Sequence, residues 1–296
     1  MILVIGATGM LGQEICRRLS EKGLPVRAMV RKTSAHEKVN KLKELGIQIA
    51  EGDLRDPSTF ESALKGCSTV ITTVSAMPFS YVPAENDIQN VDLQGMKSLI
   101  DEAKSSGVKR FIYTSFSGNI DEEFPLRNAK REVEQYLRDS KLVYTILRPS
   151  CFIEVWLTAA VGFDVENAKV QICGDGNKPV SYISYKDVAT FAVECLDNPH
   201  ARNTSLELGG PEKISQLDAV RIFEKASGKH FEIMHIPVGA LESQMKSAPD
   251  PMQASFSGLM LCLAHGDPID MSETLKKYPV KLVAVKDYAT QMTTVH

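Results

Sequence analysis

Apolar residues in the first half of the chain recur with two alternating periods. Ile2-Leu3-Val4-Ile5 is a continuous apolar run closed by glycine, the pattern of a strand buried on both faces. From Met10 the period changes: Leu11, Ile15 and Leu19 share one helical face, and Gly23 ends the helix. Val26 to Val30 reads as the next strand, Glu37 to Leu45 as a charged helix stopped by Gly46, and Ile47-Gln48-Ile49 as the start of a third strand. Asp56-Pro57 then opens a helix, with a capping side chain ahead of a proline whose fixed φ suits the first turn. Phe60, Ala63 and Leu64 form its inner face, and Gly66 closes it. Thr69 to Val74 is a β-branched strand. Leu93, Met96, Leu99, Ile100 and Ala103 mark a longer helix ending at Gly107. Arg110 to Thr114, Ala129 to Leu137 and Val143 to Leu147 continue the series as strand, helix and strand.

Strands alternating with helices at this spacing predict right-handed crossovers and a parallel sheet covered on both faces. The expected fold class is α/β: a doubly wound, parallel Rossmann-type sheet with a smaller C-terminal substrate lobe. Regularity fades after Pro149. Gly174-Asp175-Gly176-Asn177 reads as a turn, Asp187 to Leu196 as a helix, and Ser205 to Leu208 as a strand before Gly209-Gly210-Pro211. The region from about 212 to 296 mixes helices and short strands, with a loose stretch from Ser247 to Ser257. The expected division is therefore residues 1–152, with returning segments near 178–210, as the nucleotide-binding domain. Residues 153–177 and 211–296 form the small lobe, placed over the sheet's carboxyl edge.

Composition narrows the function classes. Across 296 residues, 34 Lys plus Arg nearly balance 37 Asp plus Glu, for a net charge of −3. That leaves no electrostatic footprint for nucleic acid or an anionic membrane. No apolar run reaches the length of a signal-peptide core or a membrane span, so the expected location is cytoplasmic. The six cysteines include no Cys-x-x-Cys pair, and the six histidines no His-Glu-x-x-His, so the reading is buried thiols in a reducing compartment and no metal.

One motif carries chemistry. Gly6-Ala7-Thr8-Gly9-Met10-Leu11-Gly12 follows a buried strand directly, and its third glycine lies one turn into a helix. Gly6 permits the tight turn, Gly9 lets backbone approach a phosphate, and Gly12 lets the helix pack close to the strand. The helix N-terminus supplies N–H groups and partial positive charge for a pyrophosphate. At the end of the second strand, an acid would accept from an unmodified ribose. Arg31-Lys32 stand there instead, 19 residues beyond Gly12. Two cations in that place select a 2′-phosphate, so the expected cofactor is NADP(H).

Several segments together resemble the NmrA-like group of atypical short-chain dehydrogenase/reductases: GATGMLG (6–12), MVRK (29–32), EGDLRDPSTF (51–60), GVKRFIYTS (107–115), AKREVEQYLRDS (129–140), YTILRPSCFIE (144–154) and PVSYISYKDVA (179–189). The likeness runs to about residue 210. It implies that Asp53 and Leu54 border the adenine, and that Thr72, Thr73, Val74 and Ser75 lie beside the adenosine and pyrophosphate. It implies further that Ser115 and Lys130 are the catalytic pair, and that Pro149, Cys151 and Phe152 sit against the nicotinamide. The departure matters more. Conventional members of the wider superfamily use Tyr-x-x-x-Lys, with the phenol as acid/base. Four residues before Lys130 this chain has Leu126, which cannot transfer a proton. The literal Tyr182-x-x-x-Lys186 lies 67 residues past Ser115, off the helix that carries Lys130, and reads as a decoy.

Three functions compete on these grounds. The first is an NADPH-dependent reductase of a quinone, enone or similar flat carbonyl, with Met77, Phe79, Tyr81, Phe116 and Trp156 as candidate substrate-pocket residues. The second is a non-catalytic NADP(H)-sensing regulator that docks to a protein partner, which the missing tyrosine also suits. The third, a sugar-nucleotide epimerase or dehydratase, is disfavoured by that same absence.

Overall fold

The apolar runs of the N-terminal half are strands of one seven-stranded sheet in the computed structural model, which describes residues 1–77 and 87–294. In chain order its first elements are β1 (Ile2–Ile5), α1 (Met10–Glu21), β2 (Val26–Val30), α2 (His36–Glu44), β3 (Gln48–Glu51) and α3 (Phe60–Leu64). They continue through β4 (Thr69–Thr72), α4 (Met96–Ser105), β5 (Arg110–Thr114), α5 (Pro125–Asp139) and β6 (Val143–Pro149). Strand Thr204–Leu208 neighbours β6 at one edge, and the order continues β5, β4, β1, β2, β3. Registers from β3 through β6 are parallel. This is the doubly wound arrangement the alternating periods predict. Its strand order reverses between β1 and β4, where two crossovers diverge and leave a crevice beyond the strands' carboxyl ends.

α1 buries Leu11, Ile15 and Leu19, as their four-residue spacing requires. Asp56 caps the turn at Pro57–Thr59 by accepting from Ser58 N, and Phe60, Ala63 and Leu64 then face inward. β4 stops two residues short of the expected Val74, because Thr73 N makes its last ladder-like bond to Ile5 O (3.0 Å) before the chain turns. The next helix begins as a wide π-helical turn, Ile88–Gly95, and tightens into α4. Gly95 lets this turn pack close: a Cβ there would lie 2.3 Å from Leu54 O. α5 opens at Pro125, earlier than the expected Ala129, and Ser255 Oγ accepts from the first-turn Leu126 N at 3.0 Å.

Two units result. One comprises Met1–Ser115, Asn128–Leu147 and Val188–Leu206; the other comprises Phe116–Arg127, Arg148–Asp187 and Glu207–His296. The second unit has its own core, in which Phe163, Phe223 and Phe231 pack ring to ring. A small sheet runs from Glu232–Ile236 through Lys169–Cys173 to Phe163–Asp164. Helix Gln216–Ser227 starts at a capping box, Ser215 with Asp218, and ends at Gly228 in the left-handed region.

The stretch Ser247 to Ser257, read from sequence as loose, is half helix. Helix Pro251–His265 begins inside it, with Asp250 accepting from both Met252 N and Gln253 N at 2.9 Å. Its small residues hide a packing role. Ser255 and Ser257 are buried, and Gly258 lies so close to the Phe124 ring that a Cβ would stand 2.3 Å from it. Asp250→Ala is expected to cost about 1 kcal/mol, the worth of an N-cap, read as a shift in the urea midpoint.

Candidate functional site

The site starts at the β1–α1 turn. Gly6 has φ +82°, a left-handed conformation, and a Cβ there would meet Thr73 Oγ1 at 2.6 Å. Gly9 N donates to Gly6 O (3.0 Å), and no side chain caps α1 at Gly9. A Cβ on Gly12 would stand 2.1 Å from Gly6 O, so the helix packs directly on the turn. Within the motif the residues divide by role. Thr8 and Gly9 line the crevice with Gly6, Ala7 and Leu11 are buried beneath it, and Met10 is exposed.

The crevice encloses about 800 Å³, counted out to solvent. Its walls come from the carboxyl ends of four strands. Ile5 ends β1 and Gly6 follows it, Met29 and Val30 end β2 and Arg31 follows, Gly52 to Arg55 follow β3, and Thr73 to Ala76 follow β4. Arg31 lines it. Lys32 is not among the wall residues; its place is taken by Ser34, whose Oγ accepts from Arg31 N at 3.1 Å while its own N donates to Arg31 O at 2.9 Å. That tight turn folds residue 34 back against Arg31.

Asp53 and Leu54 both line the crevice. Asp53 is gripped by Arg55, through Nε at 3.0 Å and Nη2 at 2.6 Å, and that guanidinium holds its carboxyl below the usual range despite partial burial. Arg55 is thus a further cation in the wall that the sequence reading did not single out, although it stands in the Gly-Asp-Leu-Arg segment. Of the four residues expected after β4, Thr73, Val74 and Ser75 face the crevice. Thr72 is fully buried in the sheet.

Lys130 is not the solvated lysine its Arg- and Glu-rich helix would suggest. Its side chain is 3% exposed, and its Nζ lies 3.4 Å from Asp92 Oδ1. It also donates to Val74 O (3.2 Å) and Thr114 O (3.4 Å) and sits 5.3 Å above the Tyr113 ring centre. Asp92, absent from the sequence reading, is completely buried and accepts from Ala76 N through its second oxygen (2.8 Å). Burial pushes its carboxyl upward, against the opposing pull of the Lys130 charge. Ser115 is also buried, and its Oγ donates to Glu134 Oε1 at 2.5 Å. Arg131 (2.8 Å) and Arg138 (3.2 Å) pair with that same carboxylate. The helical spacing of Lys130 and Glu134, one turn apart, was the available signal for the second acid.

Met77 is half-buried, and its N donates to Ser75 Oγ at 3.2 Å. Phe79 and Tyr81 lie outside the described residues. Phe116, Pro149, Cys151, Phe152 and Trp156 belong to the second unit. There Cys151 joins the core, with burial pushing its thiol well up, and Phe152 bridges to Ile183. Trp156 lines a small pocket with Leu157, Phe163 and Tyr182. Tyr182 itself is 2% exposed, and burial raises its phenol far above the ordinary range, as befits a core residue and not an acid/base. All six cysteines are free and buried. Among the described residues, no helix is long and apolar enough to cross a membrane.

Fold and crevice together define a Rossmann-type α/β protein with a glycine-walled cleft at the point where the sheet reverses. The chain belongs to the NmrA-like family, whose model matches residues 1–290. It is 32% identical over 241 residues to the photosystem II assembly factor Ycf39 of Guillardia theta, covering 81% of this chain and 74% of that protein. It is 30% identical to an NAD(P)H azoreductase of Xenophilus azovorans, covering 77% and 74%. A crystal structure of an NADPH-dependent quinone oxidoreductase from Escherichia coli, complexed with NADPH, superimposes with a TM-score of 0.78 over 99% of both chains. At 23% identity, that likeness establishes the shared fold.

Proposed function

We propose that this protein binds NADP(H) in the β1–β4 crevice and acts as a reductase of a quinone, enone or similar carbonyl. The observation that carries the reading is the glycine cradle. Gly6 and Gly12 stand where any Cβ would collide with backbone or Thr73, and the uncapped start of α1 adjoins the crevice. A diphosphate fits such a wall, because N–H groups and the helix dipole both favour an anion there. When bound, a reduced nicotinamide supplies the hydride; the chain supplies position and field.

In this reading Arg31 and Ser34 hold the 2′-phosphate, and Asp53 and Leu54 border the adenine. Lys130 supports the carbonyl end electrostatically, its ammonium donating to Val74 O in the crevice wall. Leu126 stands where the superfamily's phenol would be, so the proton does not come from that position. The NAD(P)H azoreductase relative supports oxidoreductase chemistry in this branch of the family. Buried free thiols suit a reducing, cytoplasmic setting, which is part of the same proposal.

Arg31→Ala is expected to weaken NADPH binding about ten- to hundredfold, the loss of one charge-assisted contact, and NADH binding far less. Calorimetric titration of both nucleotides reads the difference; equal losses would remove Arg31 from the 2′-phosphate site. The reaction itself is tested by mixing protein with NADPH and a quinone panel and following the reduced-nicotinamide absorbance. Turnover that Lys130→Met abolishes supports the reductase. A second reading has its own support in the assembly-factor relatives: a protein that binds the nucleotide and docks to a partner without turnover. Saturable NADPH binding with no oxidation by any acceptor would select it.

A further inference from the structure

The buried Asp92–Lys130 pair does something the proposed hydride chemistry does not require. After β4 ends at Thr72, the chain runs along the crevice as Thr73 to Ala76. Two bonds grip this stretch from opposite sides of Ser75. Lys130 Nζ donates to Val74 O at 3.2 Å, and Ala76 N donates to Asp92 Oδ2 at 2.8 Å. The two gripping side chains meet each other at 3.4 Å, and the Tyr113 ring closes the ammonium's other flank at 5.3 Å. Val74, Ser75 and Ala76 all line the crevice.

Stability alone is a poor reason for this pair. Taking both charges out of water costs more than a well-packed apolar pair would, so a buried ion pair is weak evidence of stabilisation. Its placement is specific, however. Asp92 rides on the π-helical turn Ile88–Gly95, a local geometry that recurs at functional sites. The preceding residue on that turn, Val91, is itself part of the crevice wall. Gly6, at the pyrophosphate end, packs on Thr73 and Val74, so the gripped stretch continues from the glycine cradle. The opposite corner is built from its own contacts, with Arg31 N bonded to Ser34 Oγ and Arg55 gripping Asp53.

We infer that Asp92 is a positioning residue: with Lys130 it clamps Val74 to Ala76 and thereby shapes the diphosphate and nicotinamide side of the crevice, not the adenosine corner. This role rests on the dinucleotide reading above. The test is calorimetry on the full chain with two probes, NADPH and adenosine 2′-monophosphate, which reaches only the adenosine corner. Asp92→Ala is expected to raise the NADPH Kd at least about tenfold while moving that of the fragment less than about twofold. Asp92→Asn retains an acceptor for Ala76 N and removes only the charge. It is expected to recover part of the loss, and it serves alone should the alanine variant not fold. Equal weakening of both probes would make Asp92 a merely structural residue and overturn the role, as would unchanged NADPH binding in both variants. A wild-type chain that binds neither probe would overturn the dinucleotide reading and this role with it, a pattern distinct from either of those.

Discussion

Gly12→Ala is expected to weaken NADPH binding by at least about a hundredfold and to lower stability by about 1–3 kcal/mol. By helix propensity alone the change would help, since alanine in a helix is favoured over glycine by about 1 kcal/mol. Sterics decide otherwise. The new Cβ would stand 2.1 Å from Gly6 O, 2.7 Å from Gly6 C and 2.9 Å from Ala7 Cα, all backbone atoms that no rotamer change can move. Either α1 shifts off the turn or the turn itself opens, and both displace the N–H groups meant for the diphosphate. Gly239→Ala is the matched control. It also lies inside a helix, Val238–Lys246, but a Cβ there meets nothing within 4 Å. That variant should be neutral to slightly stabilised and should bind the nucleotide as before.

The second large effect is that of Lys130→Met. Beyond the loss of turnover, the variant leaves Asp92 buried with no ammonium beside it, and removing one partner of such a pair costs about 3–5 kcal/mol near neutral pH. The deficit should depend on pH. Burial already raises the Asp92 carboxyl, and the Lys130 charge is what opposes that rise. Without it the folded-state pKa climbs further above the unfolded value. For an acid raised in this way, the native state is fully favoured only below the unfolded pKa, and stability falls as pH rises from there through the folded pKa. Urea melts should therefore show the smallest deficit in acid and a growing one toward neutrality. Adding Asp92→Asn to Lys130→Met should restore much of the stability at pH 8, since no buried charge is then left. A deficit independent of pH, or one that the double variant does not relieve, would mean that the ion pair is not what the substitution breaks.

Much of this was legible in the residues because it is local. Ile2 to Ile5, the glycine turn and the Leu11, Ile15, Leu19 face lie within twenty residues, and their periodicity and backbone demands leave one arrangement. Burial of strands on both faces made the parallel sheet readable as apolar runs. What escaped depends on contacts between distant segments. Asp92 looks like an ordinary polar residue near a helix start, and only folding brings Lys130 and Ala76 to it. Ser34 joins Arg31 in the crevice wall through a turn that charge reasoning could not foresee. Helix Pro251–His265 was missed because serine, alanine and glycine carry weak periodicity. They are small there because Phe124 presses against Gly258 and a buried N–H of α5 needs the Ser255 hydroxyl. Lys130 itself was identified through family resemblance, and the structure adds the reason it can be buried at all.

The most direct measurement is an isothermal titration of the wild-type chain with NADPH and, separately, with NADH. One saturable site, filled by NADPH at least about tenfold more tightly, is the expected result for a glycine cradle that holds the diphosphate and an Arg31 corner that holds the 2′-phosphate. No saturable heat from either nucleotide, or equal affinity for both, would contradict it.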